Sequence, residues 1–197
     1  MNAFHLDLLQ WLAAGTRPTP WLLAIAVGLA LGGPWLSTAV IGAGAWRRPG
    51  HRAYILFVLA GAAITAMLCQ EIAARINVPR PFITGLVPAY IPHGASASLP
   101  STHASVMFMV AFAFLARPVL RAPGIALFAV AAATGWARIH VGVHFPLDIA
   151  VGLLFGAVMA GLLGAVWRML ELGAQQLALR MPNLAGKRWP AMPRPRA

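Results

Sequence analysis

The chain has few charged residues. Asp, Glu, Lys and Arg together make up 10% of its 197 residues, whereas a soluble globular domain carries about 25%. Hydrophobic residues make up 60% of the sequence. This composition excludes an ordinary soluble domain and predicts an integral membrane protein, and the length suits one domain of several helices.

Cysteine and acidic residues are also scarce. The single cysteine, Cys69, lies inside an apolar run, which excludes an intramolecular disulfide and a Cys/His zinc cluster. The only carboxylates are Asp7, Glu71, Asp148 and Glu171, too few for a two-metal site held by several acids. We therefore expect no metal and no other cofactor.

The N-terminal segment has no Lys or Arg before its first apolar residues, whereas a cleaved signal peptide begins with a basic region. We therefore expect no signal peptide. Residues 3–14 are too short to cross a membrane, and Phe4, Leu8 and Trp11 repeat at helical spacing. This pattern predicts a short helix lying in the membrane interface, with a frayed terminus as the alternative.

Five longer apolar segments follow, each near the roughly 20 residues that cross a hydrocarbon core of about 30 Å. They cover residues 21–46, 53–74, 101–116, 125–139 and 146–170. Backbone groups in lipid must bond internally, and the segments lack the alternation of a β-barrel. We predict an all-α bundle of five transmembrane helices, with residues 1–172 forming the membrane domain and 173–197 a basic tail.

Positive charge is distributed unevenly between the two ends of this predicted bundle. Eleven Lys and Arg residues fall on one side and four, Arg17, Arg75, Arg80 and Arg138, on the other. The positive-inside rule places the richer side and the C-terminus in the cytoplasm. The net charge of +11 then reflects topology, not nucleic-acid binding, and binding of the tail to anionic lipid headgroups is the alternative.

The segment "LPSTHASVMF", residues 99–108, opens the third predicted span. Ser101 or Thr102 can cap that helix and leave backbone N–H groups free at its N-terminus. Such a terminus favours a phosphate, and His103 stands in the first turn beside it. An ordinary capped helix with an interfacial histidine is the alternative.

The segment "ARIHVGVHFPLD", residues 137–148, places ionisable groups between two apolar runs. Pro146 suits the first turn of a helix, so Asp148 can reach the Nδ1–H of His144 and leave Nε2 as a nucleophile. The alternatives are a capping Asp148 with a solvated histidine, or a zinc site at His140 and His144 that lacks a third ligand. We expect His140 to be structural.

Two arginines on the side poor in positive charge complete the pattern. Arg80 lies in the Pro-flanked turn "VPRPF", and together with Arg138 it could clamp phosphate oxygens through planar guanidinium groups. The alternative for each is a snorkelling membrane anchor.

These three motifs resemble the signature of the type 2 phosphatidic acid phosphatase superfamily, and "PRPF" and "GVHFPLD" are especially similar to bacterial undecaprenyl-diphosphate phosphatases. The resemblance covers roughly residues 20–170. It implies that His144 attacks phosphorus to form a phosphohistidine, that Asp148 holds His144, and that His103 transfers protons to the leaving oxygen and from water. The phosphoryl oxygens would then be bound by Arg80, Arg138, Ser101 and the Thr102 N–H.

The sequence departs from that signature at three positions. Thr102 replaces a glycine, Ala137 replaces a serine, and Ala73 stands where the family has a phosphate-binding lysine. Arg75 could substitute for the lysine, or Gln70 and Glu71 could arrange water or a counter-charge.

The resemblance therefore predicts a metal-independent membrane lipid-phosphate phosphatase. The preferred substrate is undecaprenyl diphosphate, cleaved on the periplasmic or outer face of a bacterial inner membrane. Alternatives are a phosphatidylglycerophosphate or phosphatidic acid phosphatase, a lipid phosphotransferase, and a non-catalytic membrane protein of the same fold. Lipid phosphates and membrane lipids are the expected partners, and homo-oligomerisation is left open.

Overall fold

The computed structural model of the chain describes residues 3–180, and every regular element in that range is helical. The helices are α1 Ala3–Leu12, α2 Pro20–Arg47, α3 Arg52–Ile76, α4 Thr102–Leu115, α5 Arg121–His140 and α6 Pro146–Arg180. Two 3₁₀ turns, Pro49–His51 and Pro118–Leu120, connect α2 to α3 and α4 to α5. The predicted tail beyond residue 180 lies outside the described residues.

Four of the helices, α2, α3, α5 and α6, are long and apolar enough to cross a bilayer. The third of the five predicted spans forms α4, which has only 14 residues. At about 1.5 Å per residue that is roughly 21 Å, short of a hydrocarbon core of about 30 Å. The last helix continues without a break across the predicted boundary at residues 172 and 173.

Helix α4 occupies the centre of the bundle and packs against α3, α5 and α6. It is apolar on every side, and such a helix is stable only when it is surrounded. Phe108, Met109 and Phe114 are accordingly at most 2% exposed. Helices α2, α3 and α6 instead expose large apolar side chains, including Trp35, Met67 and Leu162.

Two glycines bring α6 unusually close to α4. A Cβ on Gly152 would lie 3.1 Å from the backbone oxygen of Ser101, and one on Gly156 would lie 2.6 Å from that of Ser105. Small residues four apart allow helix backbones to approach closely within a membrane. Asp148 is one further turn toward the N-terminus on the same face of α6. The close contact of α6 with α4 at Gly152 and Gly156, which we call the glycine seam, therefore brings Asp148 beside the start of α4.

The short helix α1 lies against α5 and α6. Its packed face contains Leu9, Leu12 and Ala13, whereas Trp11 from the predicted apolar stripe is 83% exposed. His140 at the end of α5 donates from Nδ1 to the Leu12 carbonyl oxygen at 2.8 Å and stacks on Trp136. His140 therefore has structural contacts, and among residues 3–180 no three His, Cys, Asp or Glu side chains are grouped as metal ligands would be.

The alternating direction of α2 to α6 brings two connections to one end of the bundle, the loop 77–101 and the turn 141–145, together with the start of α4. Gly142 in that turn has φ +81°, and a Cβ there would lie 2.2 Å from the Pro88 carbonyl oxygen. The Tyr90 N–H donates to the Val141 carbonyl oxygen at 3.0 Å. The loop is therefore held directly against the turn that carries His144.

Candidate active site

Asp148 is fixed by the first turn of α6. Its Oδ2 accepts a hydrogen bond from the Phe145 backbone N–H at 2.8 Å, the reciprocal contact of a capping box, while Pro146 provides the first helical residue. The Ser101 N–H donates to the Asp148 carbonyl oxygen at 3.2 Å. The carboxylate is therefore buried and rigid, and the starts of α4 and α6 are joined at this point.

The contacts of His144 determine which of its ring nitrogens carries the proton. Arg80 Nη1 lies 3.2 Å from His144 Nε2, and because a guanidinium can only donate, Nε2 must be the acceptor. Nδ1 then carries the hydrogen and donates to Asp148 Oδ2 at 3.2 Å. The imidazole thus presents a lone pair on Nε2 and has its other nitrogen held by a carboxylate, which is the arrangement of an activated nucleophile.

Burial favours this neutral form of His144. The side chain is 2% exposed, and burial lowers the pKa of His144 from its usual 6.5 to about 4, against the opposing effect of the hydrogen bond that His144 donates to Asp148. The nearby charges of Arg138 and Arg80 act in the same direction as burial. At neutral pH the imidazole is therefore unprotonated and able to attack.

Arg80 is held by an enclosure of backbone carbonyls. Its Nε donates to the Ser96 carbonyl oxygen at 2.8 Å and its Nη1 to the Val143 carbonyl oxygen at 2.9 Å. Its Nη2 donates to the Ala97 carbonyl oxygen at 3.0 Å and to Ser96 Oγ at 3.2 Å. With the contact to His144, all five donors are in use, so the guanidinium is rigidly directed at His144 Nε2.

Arg138 is buried but much less fully bonded. Its Nη2 lies 2.9 Å from His93 Nε2, and its Nε has no hydrogen-bond partner among residues 3–180. Within the same range, neither Arg80 nor Arg138 forms an ion pair with a carboxylate. Two buried arginines without a directly paired carboxylate favour the binding of an anion at this end of the bundle.

The start of α4 supplies further donors. Ser101 is the N-cap, its Oγ accepting from the Ala104 N–H at 3.5 Å and lying 3.3 Å from His144 Nε2. The N–H groups of Thr102 and His103, as the first two helical residues, have no intrahelical acceptor. The His103 side chain lies within electrostatic range of Arg138 and His144.

The structure thus gathers His103, Asp148 and the predicted phosphate ligands around His144, with one exception. Arg75 donates to Glu71 Oε1 within an exposed pair on the last turn of α3, so its partner here is not a group of the site, and its role in place of the family lysine stays a prediction. Ala73 itself is buried.

Three polar residues of the site were missed by the sequence analysis. Ser98 Oγ donates to Asp148 Oδ2 and lies 3.4 Å from His144 Nδ1. Ser96 accepts hydrogen bonds from Arg80, and His93 accepts one from Arg138. The one signal for them in the sequence is the run of small polar residues in "HGASASLPSTH", which is also typical of an ordinary loop.

The matched region of the chain identifies its family. The profile described as the PAP2 superfamily matches residues 53–171, which include every motif above. The chain belongs to the PAP2 superfamily.

Relatives of this PAP2 protein are phosphatases by name. The chain is 28% identical over 174 residues to "Putative undecaprenyl-diphosphatase YbjG" of Escherichia coli (strain K12), covering 85% of each chain. It is 40% identical over 85 residues to undecaprenyl-diphosphatase BcrC of Bacillus subtilis (strain 168), covering 43% of this chain and 42% of BcrC. It is 33% identical over 156 residues to decaprenylphosphoryl-5-phosphoribose phosphatase of Mycobacterium tuberculosis, covering 75% of this chain and 81% of that protein.

Two solved structures share the fold. The first transmembrane PAP2 type phosphatidylglycerolphosphate phosphatase from Bacillus subtilis superposes with a TM-score of 0.65 at 20% identity, covering 85% of this chain and 86% of that one. Aquifex aeolicus LpxE gives a TM-score of 0.63 at 23% identity, covering 82% of this chain and 95% of LpxE. The chain is therefore a multi-pass membrane phosphatase of the PAP2 superfamily, which confirms the predicted family and enzyme class.

Proposed function

We propose that this protein hydrolyses undecaprenyl diphosphate to undecaprenyl phosphate through a phosphohistidine on His144. The observation that carries the proposal is the state of that imidazole. Its Nε2 lone pair faces Arg80 and Ser101, which are phosphate donors, while its Nδ1–H is held by Asp148. Phosphoryl transfer through a phosphohistidine requires a nucleophilic imidazole, a carboxylate that orients it, and donors for the transferred phosphoryl group.

In the first step the Nε2 lone pair of His144 attacks the terminal phosphorus, and the bond from phosphorus to the bridging oxygen breaks. Asp148 accepts the Nδ1–H hydrogen bond, which strengthens as the ring becomes positive. Arg80, Arg138, Ser101 and the Thr102 N–H bind the phosphoryl oxygens. His103 takes up a proton as the phosphate dianion binds beside it, and it gives that proton to the leaving oxygen of the lipid monophosphate.

In the second step neutral His103 removes a proton from water, and the resulting oxygen attacks the phosphohistidine. The nitrogen–phosphorus bond breaks, inorganic phosphate leaves, and His144 and His103 return to their starting states. Water returns the proton that His103 gave up, and the chain's own residues carry the charges in this sequence, so the proposed reaction is independent of metal ions.

The substrate assignment is supported by the two relatives named undecaprenyl-diphosphatases. It is also supported by the place of the site, at one end of a bundle whose sides expose large apolar residues. A lipid whose chain lies in the bilayer could therefore present its diphosphate to this end.

We place the site on the periplasmic or outer face of a bacterial inner membrane, with five crossings and a cytoplasmic C-terminus. The charge bias between the two ends supports this orientation. The short α4 can serve as the fifth crossing because α3, α5 and α6 surround it, so its ends need not reach the level of the lipid headgroups.

A second candidate is a phosphatase for a phosphate monoester on a polyprenyl-linked sugar. The relative named decaprenylphosphoryl-5-phosphoribose phosphatase supports it, and so does the apolar Ala73 at the position of the family lysine. One cation fewer at the site suits a substrate of lower charge.

A phosphate-release panel on the purified full chain tests the diphosphatase candidate against phosphate monoesters. The substrates are undecaprenyl diphosphate, farnesyl diphosphate, phosphatidylglycerophosphate and phosphatidic acid, each with and without EDTA. We expect the highest kcat/KM with undecaprenyl diphosphate and no change with chelator. Release confined to the two glycerophospholipids would refute the diphosphatase assignment, and loss of activity with EDTA would refute the metal-free mechanism.

A further inference from the structure

His93 contacts the site but belongs to none of its three motifs. It lies in the loop 77–101, and its Nε2 is 2.9 Å from Arg138 Nη2. Its ring stands across from that of His144, with the centroids 6.3 Å apart and the planes at 79°. Little room is left between the two rings for a phosphoryl group bonded to His144.

The contacts of His93 determine which of its ring nitrogens carries the hydrogen in the empty site. Arg138 can only donate, so His93 Nε2 is the acceptor. Nδ1 then carries the hydrogen and donates to the Gly94 carbonyl oxygen at 3.1 Å. Neutral His93 thus makes the contact to Arg138 that a phosphoryl oxygen would make in the occupied site.

A phosphoryl oxygen that binds Arg138 Nη2 takes the place of His93, because a charged oxygen is a stronger acceptor than a neutral imidazole. The loop permits this movement. It is anchored on one side by Tyr90, which donates to Val141, and on the other by Ser96 and Ser98, which hold Arg80 and Asp148. The segment between these anchors exposes Pro92, Gly94 and Ala95.

A diphosphate needs a donor for its second phosphate. Arg80 and Arg138 are assigned to the terminal phosphate, Arg75 forms an exposed pair with Glu71, Arg17 is exposed, and Ala73 carries no charge. His93 contacts Arg138 directly, so it is the side chain that Arg138 releases when it binds the terminal phosphate.

The charge of the substrate favours this second role. In the empty site burial lowers the pKa of His93, and the charges of Arg80 and Arg138 lower it further. His103 and His144 also face it. A phosphoryl dianion bound to the arginines offsets their charge, so the released imidazole can take up a proton and become a donor.

We propose that His93 recognises the phosphate that stays on the lipid. It accepts from Arg138 while the pocket is empty, and it donates to the leaving phosphate once the terminal phosphoryl group has bound Arg138. His93 would thereby make the site selective for diphosphates over monophosphates. The inference rests on the proposed diphosphatase function.

The test compares farnesyl diphosphate with farnesyl monophosphate as substrates of the full chain in detergent. We expect His93→Ala to lower kcat/KM for the diphosphate by about tenfold to a hundredfold, the effect of a hydrogen bond to a charged group, and for the monophosphate by less than about threefold. His93→Gln, which can both accept and donate, should recover part of the loss. His51→Ala, at the opposite end of the bundle, is the matched control and should leave both activities unchanged.

The outcomes separate the inference from the proposed function. Equal losses with both substrates would mean that His93 only positions Arg138, and a gain with the monophosphate would mean that it only blocks the pocket; either result overturns the inference alone. Wild-type protein that hydrolyses the monophosphate and leaves the diphosphate intact would overturn both.

Discussion

The two ends of the bundle each contain arginine that is withdrawn from solvent, but its partners differ. At the end opposite the site, Arg117 donates to Glu171 at 2.9 Å and lies over the Tyr54 ring, 4.2 Å from its centroid. At the site, the hydrogen-bond acceptors of Arg138 and Arg80 among residues 3–180 are uncharged. The charge of Arg117 is therefore satisfied internally, whereas the charges of Arg80 and Arg138 are left for an anion.

This difference shows why residue type alone does not identify a binding site. A partly exposed arginine–carboxylate pair contributes little to stability, at most about 1 kcal/mol, and it has no charge left for a ligand. Buried arginines without carboxylates are costly, so the fold holds them in place with backbone carbonyls and cap residues. The following predictions test this contrast, starting with the largest effect.

Replacing His144 should abolish turnover. We expect His144→Ala to lower kcat by at least about 10⁴-fold, because the covalent route is lost and a partially assembled site retains little catalysis. Phosphate release measures the rate, and an acid-labile phosphoprotein in wild type should be missing from the variant. Turnover close to that of wild type in His144→Ala would refute the nucleophile assignment.

Replacing one arginine at each end should separate their roles. Arg138→Lys loses the planar fork that matches phosphate oxygens, so kcat/KM should fall by about tenfold to a hundredfold. Arg117→Lys should change kcat/KM by less than about twofold while lowering the thermal midpoint slightly. Similar losses of activity in the two variants would contradict the distinction between the ends.

The glycine seam should matter for the site more than glycines elsewhere on α6. Gly156→Ala places a Cβ against the Ser105 carbonyl oxygen, and we expect a destabilisation of about 1–3 kcal/mol with reduced activity. Gly161→Ala is the matched control, since nothing lies within 4 Å of its added Cβ. The control should be neutral or slightly more stable, as expected for alanine in a helix; equal destabilisation of both would remove the role of the seam.

The protonation state of His144 should remain unchanged over most of the acid range. Its pKa is lowered to about 4, so the neutral Nδ1–H form persists as the pH falls and is lost only near pH 4. An unperturbed imidazole, with a pKa of about 6.5, would be mostly protonated at pH 5. ¹⁵N-histidine NMR of wild type, with His144→Ala to assign the signal, distinguishes the two, and titration near pH 6.5 would contradict the effect of burial.

Much of the site was predictable because its chemistry is local in sequence. The four-residue spacing of His144 and Asp148 at a proline-started helix predicts their contact, and Ser101 before an apolar run predicts a cap. For Arg75, by contrast, the spacing along the chain did not indicate its partner. Its distance along the chain from Ala73 is short, but its position on the exposed last turn of α3 pairs it with Glu71.

Ser96, Ser98 and His93 could not be found from the sequence because their partners lie 16 to 50 residues away along the chain. Small polar residues in a loop have no periodicity to indicate which way they face. Only the anchoring of the loop on the turn 141–145 determines that they face Arg80, Asp148 and Arg138.

The amino-acid sequence by itself determined that this is an apolar helical membrane protein of the PAP2 superfamily, because hydropathy, helix-start chemistry and motif order are properties of neighbouring residues. The tertiary structure alone decided which polar groups meet. It did so through the close approach of α6 to α4 and the docking of one loop, which position His144, Asp148 and two arginines without a carboxylate partner around a single buried nitrogen.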